Sequence, residues 1–392
     1  MTFVFFQLIT YFAGLSRSPR GVVYVLLSLF LLYFGFSYAN GNDWIGYFKN
    51  YDCLINGNCT ARHLGFEWGY NLVVNLFGGF AGFQSLTLGI AVFASFALLY
   101  FSLHFRYPAF PFMILVGLNA WHLYIELSRQ SLAQSFILFS IFFLIRRKLV
   151  LFVVLVLAAS LFHSSAVIVL LLLPFSYYPV LYRVSVLSLV VGVGLFMLLP
   201  LNVISLFSEF AGMFSPMLNE KLEYYAFSQG YAPQFVFGLG AVGDILLIGV
   251  TLYLINLAGD QGVSPVIKMG AFLYCVILVA AKMHPVLVRL SFYFLPFLAL
   301  LWAAVFGGLT GRYSSTLPLI KVPIFFKYIF IVAILVQGLI RPFAYDYMRD
   351  AIFNYQNAAP LIFLDHLDDQ VFRDRVEERC DRLRSFGYTD MC

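Results

Sequence analysis

Residues 129–165 read RQSLAQSFILFSIFFLIRRKLVLFVVLVLAASLFHSS, and this stretch decides the fold. One apolar run ends at Ile145. The basic triplet Arg146-Arg147-Lys148 follows, and a second apolar run opens at Leu149 and closes on His163. Continuous apolar runs approaching ~20 residues cross a bilayer as helices. A membrane barrel would instead need ~10-residue segments that alternate apolar and polar. Composition agrees: 62% of the chain is hydrophobic and 11% charged, where a soluble domain carries about a quarter charged residues. Lipid is therefore the solvent, and the fold class is an all-α, polytopic integral membrane protein.

Working outward, the same pattern predicts about 12 transmembrane helices, at 2–15, 22–39, 83–103, 108–125, 129–145, 149–162, 164–181, 184–200, 233–257, 266–283, 286–307 and 322–341. The pair 149–162 and 164–181 reads equally as one long span with a break. No basic residue precedes the first apolar run, so the charged leader of a cleaved signal peptide is missing and this segment is expected to remain as a helix.

Orientation follows from the basic residues. With the N-terminus outside, the inner loops hold Arg17, Arg20, Arg106, Arg146, Arg147, Lys148, Arg183, Lys268, Arg312, Lys321 and Lys327 against one acid, Asp260. The net charge of +5 thus reflects topology and gives no reason to invoke nucleic acid. Of five cysteines, Cys275 falls in a span and reads as a small buried hydrophobe. Cys53, Cys59, Cys380 and Cys392 all fall outside, where an oxidising compartment such as a bacterial periplasm favours disulfides. Pairing Cys53–Cys59 and Cys380–Cys392 is the local choice among three connectivities.

Three outer segments carry nearly all the polar chemistry: 40–82, 201–232 and the tail. Domain organisation is a transmembrane unit over 1–345 and a tail over 346–392. In the tail, Leu364, Leu367, Phe372, Val376, Cys380 and Leu383 recur at helical spacing among charged residues. That is an amphipathic helix, expected to lie on other outer loops or on the membrane surface.

Ionisable groups at span ends are costly unless they face a cavity or a partner. Arg129, Lys282 and Arg289 are three cations at similar depth, suited to the oxygens of a diphosphate. The competing reading is snorkelling to headgroups, or a pair such as Arg129 with Glu126. His163 has the chemistry of a general base, or of a structural hydrogen bond between two helices. Asp43 and Glu67 are further candidates for the base, with turn and cap chemistry as the alternative. Tyr47, Tyr224, Tyr225 and Tyr293 offer ring faces and hydroxyls to sugars, or form an interfacial belt. No His/Cys spacing suits zinc and no phosphate-cradling Gly-rich loop occurs, so no metal, cofactor or nucleotide-driven pump is expected.

Read in order, four motifs carry a resemblance. They are Tyr38-Ala39-Asn40-Gly41-Asn42-Asp43-Trp44, Gly65-Phe66-Glu67-Trp68-Gly69-Tyr70, Ser128-Arg129-Gln130-Ser131-Leu132-Ala133 and Leu161-Phe162-His163-Ser164-Ser165. The series resembles the EpsG-like group of Wzy-type polysaccharide (O-antigen) polymerases, over roughly residues 1–345. It departs in having Tyr38 where an early Arg is usual, Asn42 for Thr and Trp68 for Pro, and in its charged, Cys-bearing tail.

The resemblance implies a metal-independent glycosyltransferase of the bacterial inner membrane with its active site facing the periplasm. It would join undecaprenyl-diphosphate-linked oligosaccharide repeat units of O-antigen, capsule or exopolysaccharide. Partners would be that lipid-linked oligosaccharide, membrane lipid and a chain-length regulator protein. An O-antigen ligase-type transferase is the nearest alternative, but 201–232 carries only Lys221 where clustered arginines would be needed. A lipid-linked oligosaccharide flippase would need polar residues leading to both faces, and these are concentrated on one.

Overall fold

A computed structural model describes residues 2–59, 66–177, 239–258, 261, 263–282, 285–310, 319–344, 346–359 and 369–385. The described residues are 80% helical, and among them the only β contacts are two isolated bridges, Ser37 with Asn357 and Phe105 with Leu309.

Helices α1 (Thr2–Leu15) and α2 (Val22–Phe30) open the bundle. The short α3 (Trp44–Asn56) and α4 (Trp68–Val73) follow, and then the long α5 (Gly79–Ser102). After α6 (Ala109–Phe112) come α7 (Ser128–Ile145) and α8 (Leu149–Ser160). A tighter helix over Ser164–Leu172 leads into α9 (Leu173–Tyr177). The second half holds α10 (Leu239–Leu257), α11 (Pro265–Ala280), α12 (Val288–Ser291), α13 (Leu295–Phe306) and α14 (Ile324–Leu335). The tail holds α15 (Asp346–Phe353) and α16 (Asp369–Ser385).

Four described helices are long and apolar enough to cross a membrane: Gly82–Ser102, Ser128–Ile145, Gly240–Leu257 and Ile324–Phe343. Pro285–Ser291 with Leu295–Phe306, bent by 57° at their break, passes the same test only as a pair, either as a broken span or as a re-entrant loop. The other apolar helices are shorter, so a count of twelve is not established. The expected span 108–125 is interrupted: helix stops after Gly117, and a separate segment, His122–Glu126, follows. Gly117 and Asn119, both weak helix formers, sit at the interruption. The expected span 184–200 and outer segment 201–232 lie outside the described residues. The apolar stretch 149–177 breaks at His163, whose backbone is extended (φ −154°, ψ 109°).

α7 packs between α5 and α8, α10 against α14, and α11 against α13. The first helix belongs to the bundle: Tyr11 donates its hydroxyl to both Gly117 O and Ile334 O at 2.9 Å. Non-helical backbone at membrane depth is tolerated where protein buries it or it lines a cavity. The breaks at Leu127, His163 and Phe292–Phe294 fit that rule, because they meet at one end of the bundle.

At that end the tail covers the loop after α2. Ala358 N bonds Phe36 O at 2.7 Å and Tyr38 N bonds Gln356 O at 3.2 Å. The tail helix α16 packs on α3 and the loop before it. Phe372, Cys380 and Leu383 of α16 are buried against Tyr38, Trp44, Phe48 and Phe83, and Arg373 binds Asp52 at 2.8 Å. Leu364 and Leu367 lie outside the described residues. Cys53 is disulfide-bonded to Cys59. Cys380 is also disulfide-bonded, and its expected partner Cys392 lies outside the described residues.

Candidate functional site

Glu67 is the hub. It occupies the N-cap position of α4, yet its side chain makes no cap hydrogen bond. The carboxylate turns instead to α7 and to the break after α8. Arg129 Nη1 approaches Oε2 at 2.5 Å. His163 Nδ1 stands 3.5 Å from Oε1, and Ser164 offers its N–H and hydroxyl to the same oxygen at 3.4 Å. What allows this approach is Gly69. Its N–H bonds Leu161 O at 2.9 Å, and a Cβ there would stand 2.7 Å from that oxygen.

Arg129 is held from two sides. Its guanidinium lies 3.9 Å from the Phe66 ring centre and 5.8 Å from that of Tyr47, distances at which cation–π attraction acts. Its Nε is buried without a hydrogen bond. Beside this cluster, Arg289 Nη2 reaches Asp43 Oδ2 at the longer distance of 3.3 Å. Gln130, next to Arg129, donates its side-chain amide to Arg289 O and so fixes the start of the bent pair. Ser165 and the Tyr293 hydroxyl stand 3.3 Å apart. Arg129, Glu67, His163, Arg289 and Asp43 retain 15–29% side-chain exposure, so the cluster is sheltered and still open to water.

Asp43 is placed by a carboxylate that the sequence did not single out for this role. Glu126 Oε2 accepts the N–H groups of Asn42 at 2.6 Å and Asp43 at 3.1 Å, and Oε1 accepts Trp121 Nε1 at 3.1 Å. The loop closes on it because Gly41 has φ +81°, a conformation natural to glycine. A Cβ there would sit 2.8 Å from the Glu126 carboxyl. The suggested Arg129–Glu126 pair does not form. The helix breaks at Leu127 (φ −116°, ψ 58°), which sends the two side chains to different partners.

Protonation follows from these contacts. Burial alone would push the Glu67 carboxyl up, but His163 and Arg129 outweigh it and hold Glu67 well below the usual carboxylate range. Burial pushes the His163 imidazole down, the Arg129 and Arg289 charges add to this, and Glu67 opposes it. Burial pushes the Tyr47 hydroxyl up to about 12. At neutral pH the cluster therefore holds an ionised Glu67, a neutral His163 and a neutral Tyr47.

A family model, the EpsG family, matches residues 22–357. The chain belongs to the EpsG family. No curated protein and no solved structure matches it. EpsG-family proteins are Wzy-like polysaccharide polymerases, so this is a membrane protein of polysaccharide polymerisation, with glycosyltransferase-like activity. The EpsG match contains the whole Glu67 cluster and stops before α16.

Other candidates fall elsewhere. Lys282 gives its ammonium to Asp244, not to the Glu67 cluster. Asp244, 1% exposed, also accepts the Gln337 amide and Arg341 Nη1, the latter at 3.4 Å. The three partners come from neighbouring helices and fill the carboxylate, so Lys282 is not among the groups brought together at Glu67. Tyr47 and Tyr293 are 4% and 0% exposed and back the site instead of presenting ring faces. Tyr224 and Tyr225 lie outside the described residues. Among the described residues, no three His, Cys, Asp or Glu side chains converge as metal ligands would. Gln337 and Arg341 went unnoticed in the sequence as partners, and Glu126 was set against Arg129 instead of the loop at 42 and 43. The available signal was a charged residue at the end of an apolar run, with Gly41 in the loop that meets Glu126.

Proposed function

We propose that this EpsG-family protein joins oligosaccharide repeat units carried on undecaprenyl diphosphate, at the periplasmic face of the bacterial inner membrane, without a metal ion. The observation that supports this most is the meeting of Arg129 and a neutral His163 at one ionised carboxylate, Glu67, with Arg289 beside them on Asp43. Two guanidiniums can meet a diphosphate, and an uncharged imidazole can take a proton. The 11:1 bias of bases over acids on the other side supports the outward orientation.

The donor diphosphate binds Arg289 and displaces its long contact with Asp43. Arg129 adds its charge from a fixed position. The acceptor sugar's hydroxyl oxygen attacks the anomeric carbon of the donor and its proton passes to His163 Nε2, the ring nitrogen that does not face Glu67. The bond from that carbon to the diphosphate oxygen breaks, and the lipid diphosphate leaves with the electron pair, its charge met by the arginines. Glu67 steadies the imidazolium formed and orients the ring. Held well below its ordinary range, Glu67 is too weak a base for the transfer itself. Tyr224 and Tyr225 supply aromatic platforms for the sugars.

The test is reconstitution of the protein in liposomes with a defined undecaprenyl-diphosphate-linked repeat unit, and mass analysis of the products. A ladder of lipid-linked oligomers is expected. Movement of the unit between leaflets without linkage would replace the polymerase with a transporter.

A further inference from the structure

Outside the Glu67 cluster, a cavity of about 260 Å³ lies between the loop 39–44 and the tail. Its volume is near the lower end for small-molecule sites. Its lining includes Trp44, Asn354, Gln356, Arg375, Glu378 and Arg382. Arg379 forms the floor: its Nε and Nη2 bind Asn42 Oδ1 at 3.2 and 2.8 Å, and its Nη1 binds Asp350 at 2.5 Å.

Two observations point to a ligand. The first is charge. Arg375 and Arg382 share one carboxylate, Glu378, at 2.6 and 2.7 Å. Asp350 serves Arg379 and stands 3.8 Å from Arg382. Among the described residues at the cavity, three guanidiniums thus face two carboxylates. The second is a buried donor. Trp44 is 5% exposed, lines the cavity, and its indole N–H meets no acceptor. An unmet buried donor is costly, and a ligand oxygen would satisfy it. The carboxamides of Asn354 and Gln356 add groups that match sugar hydroxyls.

We infer that this cavity binds one acidic sugar of the glycan, of the uronic-acid class, with its carboxylate on Arg375 and Arg382 and an oxygen on the Trp44 indole. The inference rests on the polymerase reading for its ligand class. The loop that lines the cavity through Asn40 and Gly41 continues directly into Asp43 of the Glu67 cluster. The EpsG family match ends at residue 357, so the cationic wall comes from the tail beyond it. The tail then gives this chain a selectivity for charged repeat units that the matched region does not contain.

The test uses the full-length protein in detergent micelles and saturation-transfer NMR with three probes: methyl β-glucuronide, methyl β-glucoside and inorganic phosphate. The glucuronide is expected to bind at least tenfold more tightly than the glucoside and to resist displacement by equimolar phosphate. Arg375→Gln combined with Arg382→Gln should weaken it tenfold or more. Trp44→Phe, which keeps an aromatic ring, should weaken it by a smaller factor. Arg289→Lys should leave it unchanged. Equal binding of the glucoside, displacement by phosphate, indifference to both arginine and tryptophan changes, or loss in Arg289→Lys would each overturn the inference. Chain growth is not measured here, so a failed polymerisation assay and a failed sugar site remain separate results.

Discussion

Glu67 and Asp244 are both carboxylates that gather basic side chains from neighbouring helix ends, and they are put to different ends. Asp244 is 1% exposed, and its oxygens are filled by Lys282, Gln337 and Arg341. Glu67 is 15% exposed and holds an arginine tightly but a histidine only loosely, at 2.5 and 3.5 Å. Nearby, Arg289 keeps a long contact with Asp43. A saturated carboxylate fixes helices against one another. A carboxylate with a loosely held histidine and an exchangeable arginine beside it leaves room for a substrate to enter the network. Charge and position along the chain do not separate the two cases; burial and the length of the contacts do.

The comparison breaks most visibly if the two clusters respond alike to conservative substitution. Arg289→Lys and His163→Gln should each lower the polymerisation rate by about 10²–10³-fold, the usual cost of losing one preorganised contact to developing charge. Their thermal midpoints should match the parent, because Lys can still meet Asp43 and the His163 contact is long. Rates are read from product ladders in liposomes at saturating donor. Full activity of Arg289→Lys would move that residue to a structural role.

Asp244→Asn should do the reverse. Lys282 and Arg341 would lose their shared anion. Removing one partner of a buried pair typically costs about 3–5 kcal/mol. The lower end is expected, since Lys282 and Arg341 keep 24% and 21% exposure. The readout is a lower midpoint in detergent, with an unchanged KM for the donor in the protein that remains folded. A KM that rises while stability holds would return Lys282 to the substrate pocket.

A smaller effect sharpens the part played by the loop. Gly41→Ala forces a left-handed backbone on a residue with a Cβ, at about 1–2 kcal/mol, and sets that Cβ against the Glu126 carboxyl. Stability should fall by at least that amount and the rate should fall with it, because Asp43, which meets Arg289, hangs on that loop. Rate loss without any change in midpoint would mean that Glu126 acts on catalysis directly.

Much of this contrast could be read in the chain, and the unread part has a physical reason. The spans at 82–102 and 128–145 are legible because apolar runs are a local property. Arg129, His163, Arg289, Glu67 and Asp43 were each marked by an ionisable group beside an apolar run, and the structure brings the five together. Lys282 carried the same mark, but its partner Asp244 lies 38 residues away, and no local pattern announces such a pairing. Glu126 misled for a related reason. Three residues before Arg129 on a continuous helix it would face that arginine, whereas the break at Leu127 turns it to residues 42 and 43. Spans are written locally; which charges neutralise one another depends on where the breaks fall.

The smallest expected effect separates a base from its support. His163 must be neutral to accept a proton, so the rate should fall on the acid side as the ring becomes protonated. Burial and the two arginines hold its pKa below the ordinary histidine range. The acid limb of kcat/KM should therefore lie below about 6.5, the unperturbed value. Glu67 works against that depression, since its charge and contact favour the imidazolium. Glu67→Gln removes the opposing influence and leaves the arginines, so the limb should move to still lower pH while the plateau rate drops. If Glu67 were itself the base, the same substitution would abolish the rate at every pH and leave no limb to follow. A limb that stays in place in Glu67→Gln, with activity retained, would assign the proton transfer to a group other than His163. Asp43→Asn is then the variant whose profile decides.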